Sequence, residues 1–391
     1  MKRLIFFISF AIVASACYDP APFEAESLDV AKSQTSKIGT IYPINTKKQV
    51  CNPSVSRDTV NYPGSLLWLN FGGKLNVDAP DKEYTTSGVY QHDRLSIADT
   101  SNKVKWFLMV DPSLGECQFQ DPEWTTHPDF LVALRGYDLD GKANCENLDY
   151  GIFAVRTADK KKFWFYDKNI IEEATPHVWV DPNAVPDLNG DPSTVEGFFG
   201  TKNVKLTYVN ADREIVLVDY SNGGTKKAKT LKKPADRKDW RIDSPLISAD
   251  GKFVVYNMVE NSTSWEAYIQ ELSDKSEAKK IEKTNDMISN PAQPHWFEFA
   301  GRTFVLWAEL PSGSEMLLKV DFTNESVQDG SVGRTVMREI MLNGDAATED
   351  MKMEWVGENR EVASIPMFGG RSPDGRFLAT GTNYTFILRL P

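Results

Sequence analysis

The sequence is poor in the side chains that most often bind transition metals. Histidine and cysteine each occur four times in 391 residues, and no histidine has a second histidine or cysteine at a metal-ligand spacing. Two acidic loops, 138–144 and 187–191, contain glycine, but neither completes a calcium-binding loop with its terminal glutamate. We interpret these loops as turns and predict neither a metal nor a cofactor. The four histidines are His92, His127, His177 and His295. A structural role is favoured for His127 and His295, because both begin strand-entry stretches at repeat positions.

An excess of positive charge is also lacking. Lysine and arginine total 44 against 55 aspartates and glutamates, which gives a formal net charge of −11. The one basic run, 226–238, is interrupted by Pro234 and Asp236. Proteins that bind nucleic acid need a basic surface to contact the phosphates, so no nucleic-acid partner is predicted.

No apolar run is long enough to span a bilayer. The stretch Leu4–Val13 follows Lys2 and Arg3, and it precedes the small residues 14–16. A short positive segment, an apolar core of this length and small residues before a cleavage point are typical of a secretory signal peptide. We therefore predict a signal peptide over residues 1–16.

The residue after the predicted cleavage point is Cys17. Small residues leading into a cysteine resemble the lipobox of bacterial lipoproteins, which implies a diacylated Cys17 and a membrane partner through this lipid anchor. An ordinary signal peptide with an incidental cysteine is the alternative. Tyr18 replaces the aspartate that marks inner-membrane retention, so the outer membrane is expected if the host is Gram-negative. The polar segment 17–38 is predicted to be a flexible tether.

Three cysteines remain beyond the predicted anchor. Export permits disulfides, and Cys117 with Cys145 is the preferred pair because each lies in a loop-like stretch of one region. This pairing leaves Cys51 as a reduced thiol.

A short unit recurs through the mature chain. It consists of a tight turn with glycine or aspartate, followed by an alternating apolar strand. Asp-Gly favours such a turn, and β-branched and aromatic residues favour the strand. The turns are spaced from 50 residues (Gly251 to Gly301) to 74 residues (Gly301 to Gly375), which is room for about four strands each. The clearest copies are 248–256 and 372–380, and looser ones lie at 71–77, 127–134, 199–208 and 299–307.

The two clear copies, SADGKF and SPDGRF, resemble the repeat of TolB-type propellers, bacterial relatives of the WD-repeat fold. The resemblance and the spacing predict an all-β domain over 39–391, a β-propeller of six four-stranded blades. TolB carries an α/β domain before its propeller, and residues 18–60 are too few for one. A pair of β-sandwiches is the alternative, because turn-plus-strand units occur in every β protein.

The last repeat has room for only two strands, 377–380 and 384–388. A propeller with an incomplete blade would leave open sheet edges. We therefore expect the N-terminal stretch Gly39–Tyr42 to complete this blade by pairing near Phe386.

Motifs for known propeller chemistry are absent or incomplete. The Gly-x-Ser-x-Gly elbow of α/β-hydrolases does not occur. The prediction is a non-catalytic, envelope-anchored binding scaffold for a protein or glycan partner. The alternative is a carbohydrate-active enzyme, a glycosidase or lyase, with its site in the central funnel. Converging carboxylates, histidines and arginines would favour the enzyme, whereas an apolar or sparsely charged funnel would favour the scaffold. We interpret Trp124, Trp179 and Trp296 as packing between blades rather than stacking on sugars.

Overall fold

The computed structural model describes residues 34–36, 39–44, 50–70, 92–101, 103–139, 145, 147–221, 226–261, 263–273, 276–313, 333–343, 352–381 and 385–390. These residues form six four-stranded antiparallel sheets, and the domain is a β-propeller. Within them, no helix has both the length and the apolar character needed to cross a membrane. The predicted signal peptide and Cys17 lie outside the described residues.

Blades one to three follow chain order from their first strand to their fourth. Blade one contains β3 (Val50–Val55), β4 (Leu66–Asn70), β5 (Arg94–Ala98) and β6 (Val104–Met109). Blade two contains β7 (Glu116–Trp124), β8 (Phe130–Asp138), β9 (Leu148–Arg156) and β10 (Lys162–Ile170). Blade three contains β11 (His177–Val180), β12 (Val204–Val209), β13 (Ile215–Asp219) and β14 (Lys227–Thr230), with the helix α1 (Val195–Phe199) between β11 and β12.

Blades four and five repeat this order, and blade six combines the two ends of the chain. Blade four contains β15 (Arg241–Ile247), β16 (Phe253–Asn261), β17 (Ser264–Glu271) and β18 (Lys279–Lys280). Blade five contains β19 (Ala292–Phe299), β20 (Arg302–Glu309), β21 (Arg334–Asn343) and β22 (Lys352–Ala363). Blade six contains β23 (Phe377–Gly381), β24 (Thr385–Arg389), β2 (Gly39–Ile44) and β1 (Gln34–Ser36). Short 3-10 helices lie at Pro112–Leu114 and Ala235–Arg237.

The six blades form a closed ring. Each blade shares a hydrophobic cluster of buried side chains with the next one, including a cluster that joins blade six to blade one. In that last cluster, Ile44 and Ile387 pack with Val55 and Trp68. A pair of sandwiches would not pack six sheets in cyclic order, so the structure excludes the alternative.

Blade six is completed by the N-terminus, as expected. β2 pairs antiparallel with β24, and Pro43 lies opposite Phe386. The inner edge of this blade is the segment 366–372, because the Phe368 and Gly369 amides donate to Ala379 O at 3.1 and 3.0 Å. β1 extends the outer edge and falls inside the segment assigned to the tether from sequence.

The turn motif has the same geometry in its two clear copies. Ser248 Oγ donates to Asp250 Oδ1 at 2.5 Å and accepts from the Phe253 amide at 3.0 Å. The equivalent distances at Ser372 are 2.6 and 3.0 Å. The motif leads from an inner segment into the second strand of the blade. The copy at 71–77 lies outside the described residues.

Candidate functional site

The inner strands of blades one to five share a feature that places polar side chains around the central channel. A polar residue with positive φ, followed directly by proline, lies within each of these strands or just before it. These residues are Asn52 (φ 47°), Asp121 (45°), Thr175 (40°), Ser244 (51°) and Gln293 (49°). Because every blade has the same topology, the five residues lie at equivalent positions, and we call this level of the channel the mouth.

The mouth residues cause a bulge in the ladder between first and second strands. The pairing register shifts between Cys51 and Ser54, and it shifts in the same way in blades two, four and five. Proline has no amide proton for a ladder and is found at edges and bulges. A left-handed conformation at a non-glycine residue costs about 1–3 kcal/mol, and such strain concentrates at functional sites. The repeated bulge therefore marks the mouth as the candidate functional site.

Hydrogen bonds link neighbouring blades at the mouth. Asn52 Nδ2 donates to Asp121 Oδ1 at 2.6 Å, and the Thr175 amide donates to Asp121 Oδ2 at 3.2 Å. On the other side, Gln293 Nε2 donates to Asp243 Oδ2 at 3.2 Å. Both aspartates are buried, whereas Asn52, Ser244 and Gln293 are half-buried. The mouth is thus a ring of polar side chains beside two buried aspartates, and three of its side chains are partly accessible to solvent.

A second layer of polar side chains lies two residues further along the inner strands. The Ser54 hydroxyl donates to Glu123 Oε1, which also accepts from the Trp124 amide at 3.1 Å. His177 Nδ1 accepts from the Ile247 amide at 3.0 Å, and His295 Nδ1 donates to Gln293 O at 2.9 Å. These contacts hold each side chain to the backbone of its own or a neighbouring blade.

The opposite end of the channel contains a cation, the guanidinium group of Arg57. Arg57 Nη1 lies 3.9 Å from Glu298 Oε2, and both side chains are partly exposed. The positive charge of Arg57 acts on Glu123, His177 and His295 as well as on Glu298. The channel therefore has an acidic mouth and a mixed-charge far end.

Burial perturbs the titration of the channel groups. Desolvation and the neighbouring charge of Asp243 raise the pKa of Asp121 to about 8. Desolvation also raises the pKa of Glu123 to about 7. The same cause lowers the pKa of His177 to about 3 and that of His295 to about 4. At neutral pH, Asp121 is therefore mostly protonated, Glu123 is partly protonated, and the two histidines are neutral.

More polar groups lie beyond the mouth, where the inner strands begin. Gln120 Nε2 donates to Glu172 Oε1 at 3.4 Å, and partial desolvation by the surrounding protein raises the pKa of Glu172. Cys117, near the start of β7, is bonded to Cys145 in the β8–β9 connection, which lies at this end of blade two. The disulfide therefore connects the mouth end of β7 to a loop at the same end of the ring.

The residues singled out from sequence are distributed as follows. Trp124, Trp179 and Trp296 are buried at 1, 9 and 2% exposure, and Trp179 Nε1 donates to Ala249 O of the next blade at 2.7 Å. They are not available to stack on a sugar. The Cys51 side chain and residues 140–144 lie outside the described residues. Asp187 is described, and its carboxylate accepts from the Asn189 amide in a turn.

The mouth residues were missed by the sequence analysis, although a signal for them exists. A proline that directly follows a polar residue lies three residues before the serine or threonine that opens the turn, at Pro53/Ser56, Pro122/Thr125 and Pro245/Ser248. The Asp-Gly turns give the stronger local signal, and these prolines lie outside them.

Metal binding has no geometric support in the part of the chain that the structure describes. No group of three or more histidine, cysteine, aspartate or glutamate side chains is arranged there to hold an ion.

No protein-family model matches the chain, and no curated protein matches it in sequence. Several solved structures are similar to this chain, each at low sequence identity. A putative TolB from Agrobacterium tumefaciens is 13% identical over 90% of this chain and 97% of its own, with a TM-score of 0.41. The periplasmic gluconolactonase of Pseudomonas aeruginosa is 11% identical over 84% and 77%, with a TM-score of 0.38. An exo-1,5-α-L-arabinanase from a bovine ruminal metagenomic library is 12% identical over 80% and 99%, with a TM-score of 0.36. These values bear on the fold alone.

Proposed function

We propose that this protein is a non-catalytic binding scaffold of the bacterial cell envelope, and that it captures a protein or glycan partner at the channel mouth. The observation that carries the proposal is the repeated strained residue before proline on five inner strands. Strain of this kind persists only where the surrounding structure fixes it, and here it directs polar side chains to one level of the channel. The proposed lipid anchor at Cys17 would hold the propeller at a membrane, the outer one in a Gram-negative host.

The charged channel alone would favour an enzyme by the criterion drawn from sequence, but the contacts support a scaffold better. A glycosidase needs one protonated and one ionised carboxyl group, set apart by their environments. Burial raises the pKa of both Asp121 and Glu123, so the two environments act in the same direction. Each of these carboxyl groups also accepts hydrogen bonds from a backbone amide and a neighbouring side chain.

A carbohydrate-active enzyme is the second candidate, and the pair Asp121 and Asp243 favours it. The charge of Asp243 acts on Asp121 across the mouth, and Asp121 retains its proton near neutral pH. A protonated aspartic acid beside a second aspartate is the arrangement that a general acid and its partner require. In this mechanism Asp121 would protonate the leaving oxygen.

Capture from envelope extracts tests the scaffold. Full-length wild type, Asp243→Asn and Gln293→Ala are compared with Glu196→Gln, whose exposed carboxylate lies between β11 and β12, away from the mouth. The mouth variants should lose the partner that wild type and Glu196→Gln retain. Equal capture by all variants would contradict the assignment. Hydrolysis of aryl glycosides by wild type, lost in Asp243→Asn, would support the enzyme instead.

The anchor is tested separately. Cys17→Ser should abolish labelling with palmitate and move the protein from the membrane fraction to the soluble fraction, because acyl chains supply about 0.8 kcal/mol per buried methylene. A Cys17→Ser protein that still carries label, or that stays with the membrane, would refute lipidation.

A further inference from the structure

A cavity lies on the face of blade five that packs toward blade six. On this face, Phe304 and Leu306 share a buried cluster with Leu378 and Leu388 of blade six. Toward the outer strands of blade five, the same face forms a cleft of about 140 Å³, which we call the outer cleft. An apolar cavity of about 150 Å³ is large enough to bind benzene, so the outer cleft has room for one small apolar group. The side chains that line it include Arg302, Phe304, Met337, Glu339, Val356 and Arg360.

Beside the outer cleft, β22 bulges away from β21. Met337 pairs with Arg360 and Glu339 pairs with Val356, so two steps along β21 correspond to four steps along β22. The bulge contains Gly357, whose φ is 67° and whose Cβ position has no heavy atom within 4 Å. Bulges are common next to functional sites, where they redirect side chains. The bulge therefore accounts for the open space between these strands and blade six.

The floor of the outer cleft is apolar. Phe304 is 6% exposed, whereas Met337 and Val356 are half-buried and so are partly accessible to a ligand. Arg371, from the inner segment of blade six, donates to Met337 Sδ at 3.4 Å. A small apolar group placed against this floor leaves water, which favours binding. Methionine side chains adapt readily to the shape of a neighbour, so Met337 can adjust to the group that it contacts.

The polar side of the outer cleft has one positive charge in excess. Arg302 Nε donates to Glu339 Oε1 at 2.8 Å, and Arg302 Nη2 donates to Glu339 Oε2, so both oxygens of this carboxylate are engaged. The charge of Arg360 also acts on Glu339. Two guanidinium groups thus lie near one carboxylate, and Glu358 is exposed to solvent. Within the ranges that the structure describes, Arg360 forms no ion pair of its own.

We propose that the outer cleft binds a small aliphatic carboxylic acid, with its apolar chain on Phe304, Met337 and Val356 and its carboxylate on Arg360. A guanidinium group recognises a carboxylate through two parallel hydrogen bonds, which a neutral amide cannot accept in the same way. The volume limits the apolar part to about six carbon atoms. A free acid and the C-terminal residue of a protein both carry this chemistry. The outer cleft is separate from the mouth, and the proposal does not depend on the scaffold function.

Calorimetry on the full chain tests the proposal with matched probes. 4-Methylpentanoate carries both features, 4-methylpentanamide keeps the shape without the charge, and acetate keeps the charge without the apolar chain. The acid should bind with a dissociation constant below about 1 mM, and the amide and acetate should bind at least about tenfold more weakly. N-acetyl-leucine, paired with N-acetyl-leucinamide, represents the C-terminal end of a protein. Tighter binding of N-acetyl-leucine than of the free acid identifies a protein end as the source, and the reverse order identifies a free acid.

Variants test the two contacts separately. Arg360→Gln should weaken binding of 4-methylpentanoate about 10- to 30-fold and leave binding of the amide unchanged, whereas Arg360→Lys should recover part of the loss. Val356→Phe should abolish binding of both probes, because the larger ring fills the outer cleft. Lys168→Gln removes the same charge from an exposed position on β10 of blade two, and it should bind as wild type does. Thermal melting of each variant confirms that it is folded.

Equal binding of the acid and its amide would overturn the proposal, because recognition would then not involve the carboxylate. An affinity for the acid that Arg360→Gln leaves unchanged would overturn it as well, and so would the lack of any binding by 4-methylpentanoate and N-acetyl-leucine. Asp243→Asn, on the inner strand of blade four, should not affect binding of the acid. Failure at the outer cleft would therefore leave the proposed scaffold function intact, and loss of partner capture in Asp243→Asn is measured independently.

Discussion

Asp121 links neighbouring blades and also supplies a carboxyl group to the candidate functional site. It accepts hydrogen bonds from two neighbouring blades, and it is buried beside a second aspartate. A carboxyl group in this setting keeps its proton at neutral pH because the protonated form is less costly to bury. Asp121 therefore connects neighbouring blades, and it places a protonated carboxyl group at the mouth.

The raised pKa of Asp121 predicts how stability depends on pH. Its pKa is about 8 in the folded protein against an ordinary value of 3.8, so the folded state binds the extra proton between these limits. The free energy of unfolding should therefore fall as pH rises through this window, by at most about 1.4 kcal/mol per unit. Between pH 7 and 8.5, His92, His177 and His295 oppose this slope only weakly, because only about a quarter of each unfolded imidazole is protonated at pH 7 and almost none at pH 8.5.

Urea unfolding at pH 7 and pH 8.5 checks this prediction. Wild type should lose stability between the two values, and Asp121→Asn should lose much less because an amide does not titrate. At pH 7 the variant should lie within about 1 kcal/mol of wild type, since asparagine resembles the protonated acid. Parallel pH profiles for the two proteins would show that Asp121 is ionised at neutral pH.

At the scale of elements, the turns between first and second strands offer a matched pair of glycines. Gly251 and Gly301 have φ of 70° and 73° at corresponding turns of blades four and five. A Cβ on Gly251 would lie 2.6 Å from Trp179 Cε2, whereas a Cβ on Gly301 would meet no heavy atom within 4 Å. Trp179 is held by its hydrogen bond to Ala249 O, so it cannot withdraw freely.

Alanine at each glycine should separate backbone strain from the steric clash. Gly301→Ala should cost about 1 kcal/mol through left-handed strain alone. Gly251→Ala should cost about 1–3 kcal/mol more, because overpacking adds to the same strain. Chemical denaturation of both variants measures the difference. Equal losses would mean that the Trp179 ring does not pack over the turn.

The strands and turns were predictable from the sequence to different degrees. The Ser-x-Asp-Gly copies predicted both turn and following strand, because their hydrogen bonds involve residues no more than five apart. The mouth was not predicted, since Asp121 meets Asn52 and Thr175 from 69 and 54 residues away. Only the closed ring brings them together. The raised pKa of Asp121 likewise depends on burial that no local pattern reveals.

At the scale of the whole molecule, closure of the ring depends on the N-terminal strand. β2 pairs with β24 over Thr40–Ile44, and Ile41 and Ile44 pack into clusters on the two sides of blade six. Sequence reasoning anticipated this closure because the last repeat lacks strands. Closure of the ring requires that a segment near residue 40 fold together with a segment near residue 387.

Two deletions test the closure. Removing residues 36–46 should expose the edge of β24 and cause unfolding or aggregation, because unpaired strand edges associate. Removing residues 20–30 should change the melting temperature by no more than about 2 °C. Size-exclusion chromatography and thermal melting distinguish the outcomes. A monomeric, normally melting protein without 36–46 would refute closure by β2.

The central claim is that the partner binds at the end of the ring where the inner strands begin. Hydrogen–deuterium exchange of the full chain, with and without its captured envelope partner, tests it directly. We predict slower exchange in peptides covering the mouth residues Asn52, Asp121, Thr175, Ser244 and Gln293, with no change in the turns around Gly251, Gly301 and Gly375 at the opposite end. Protection confined to those turns, or to the insertion 181–203, would contradict the account.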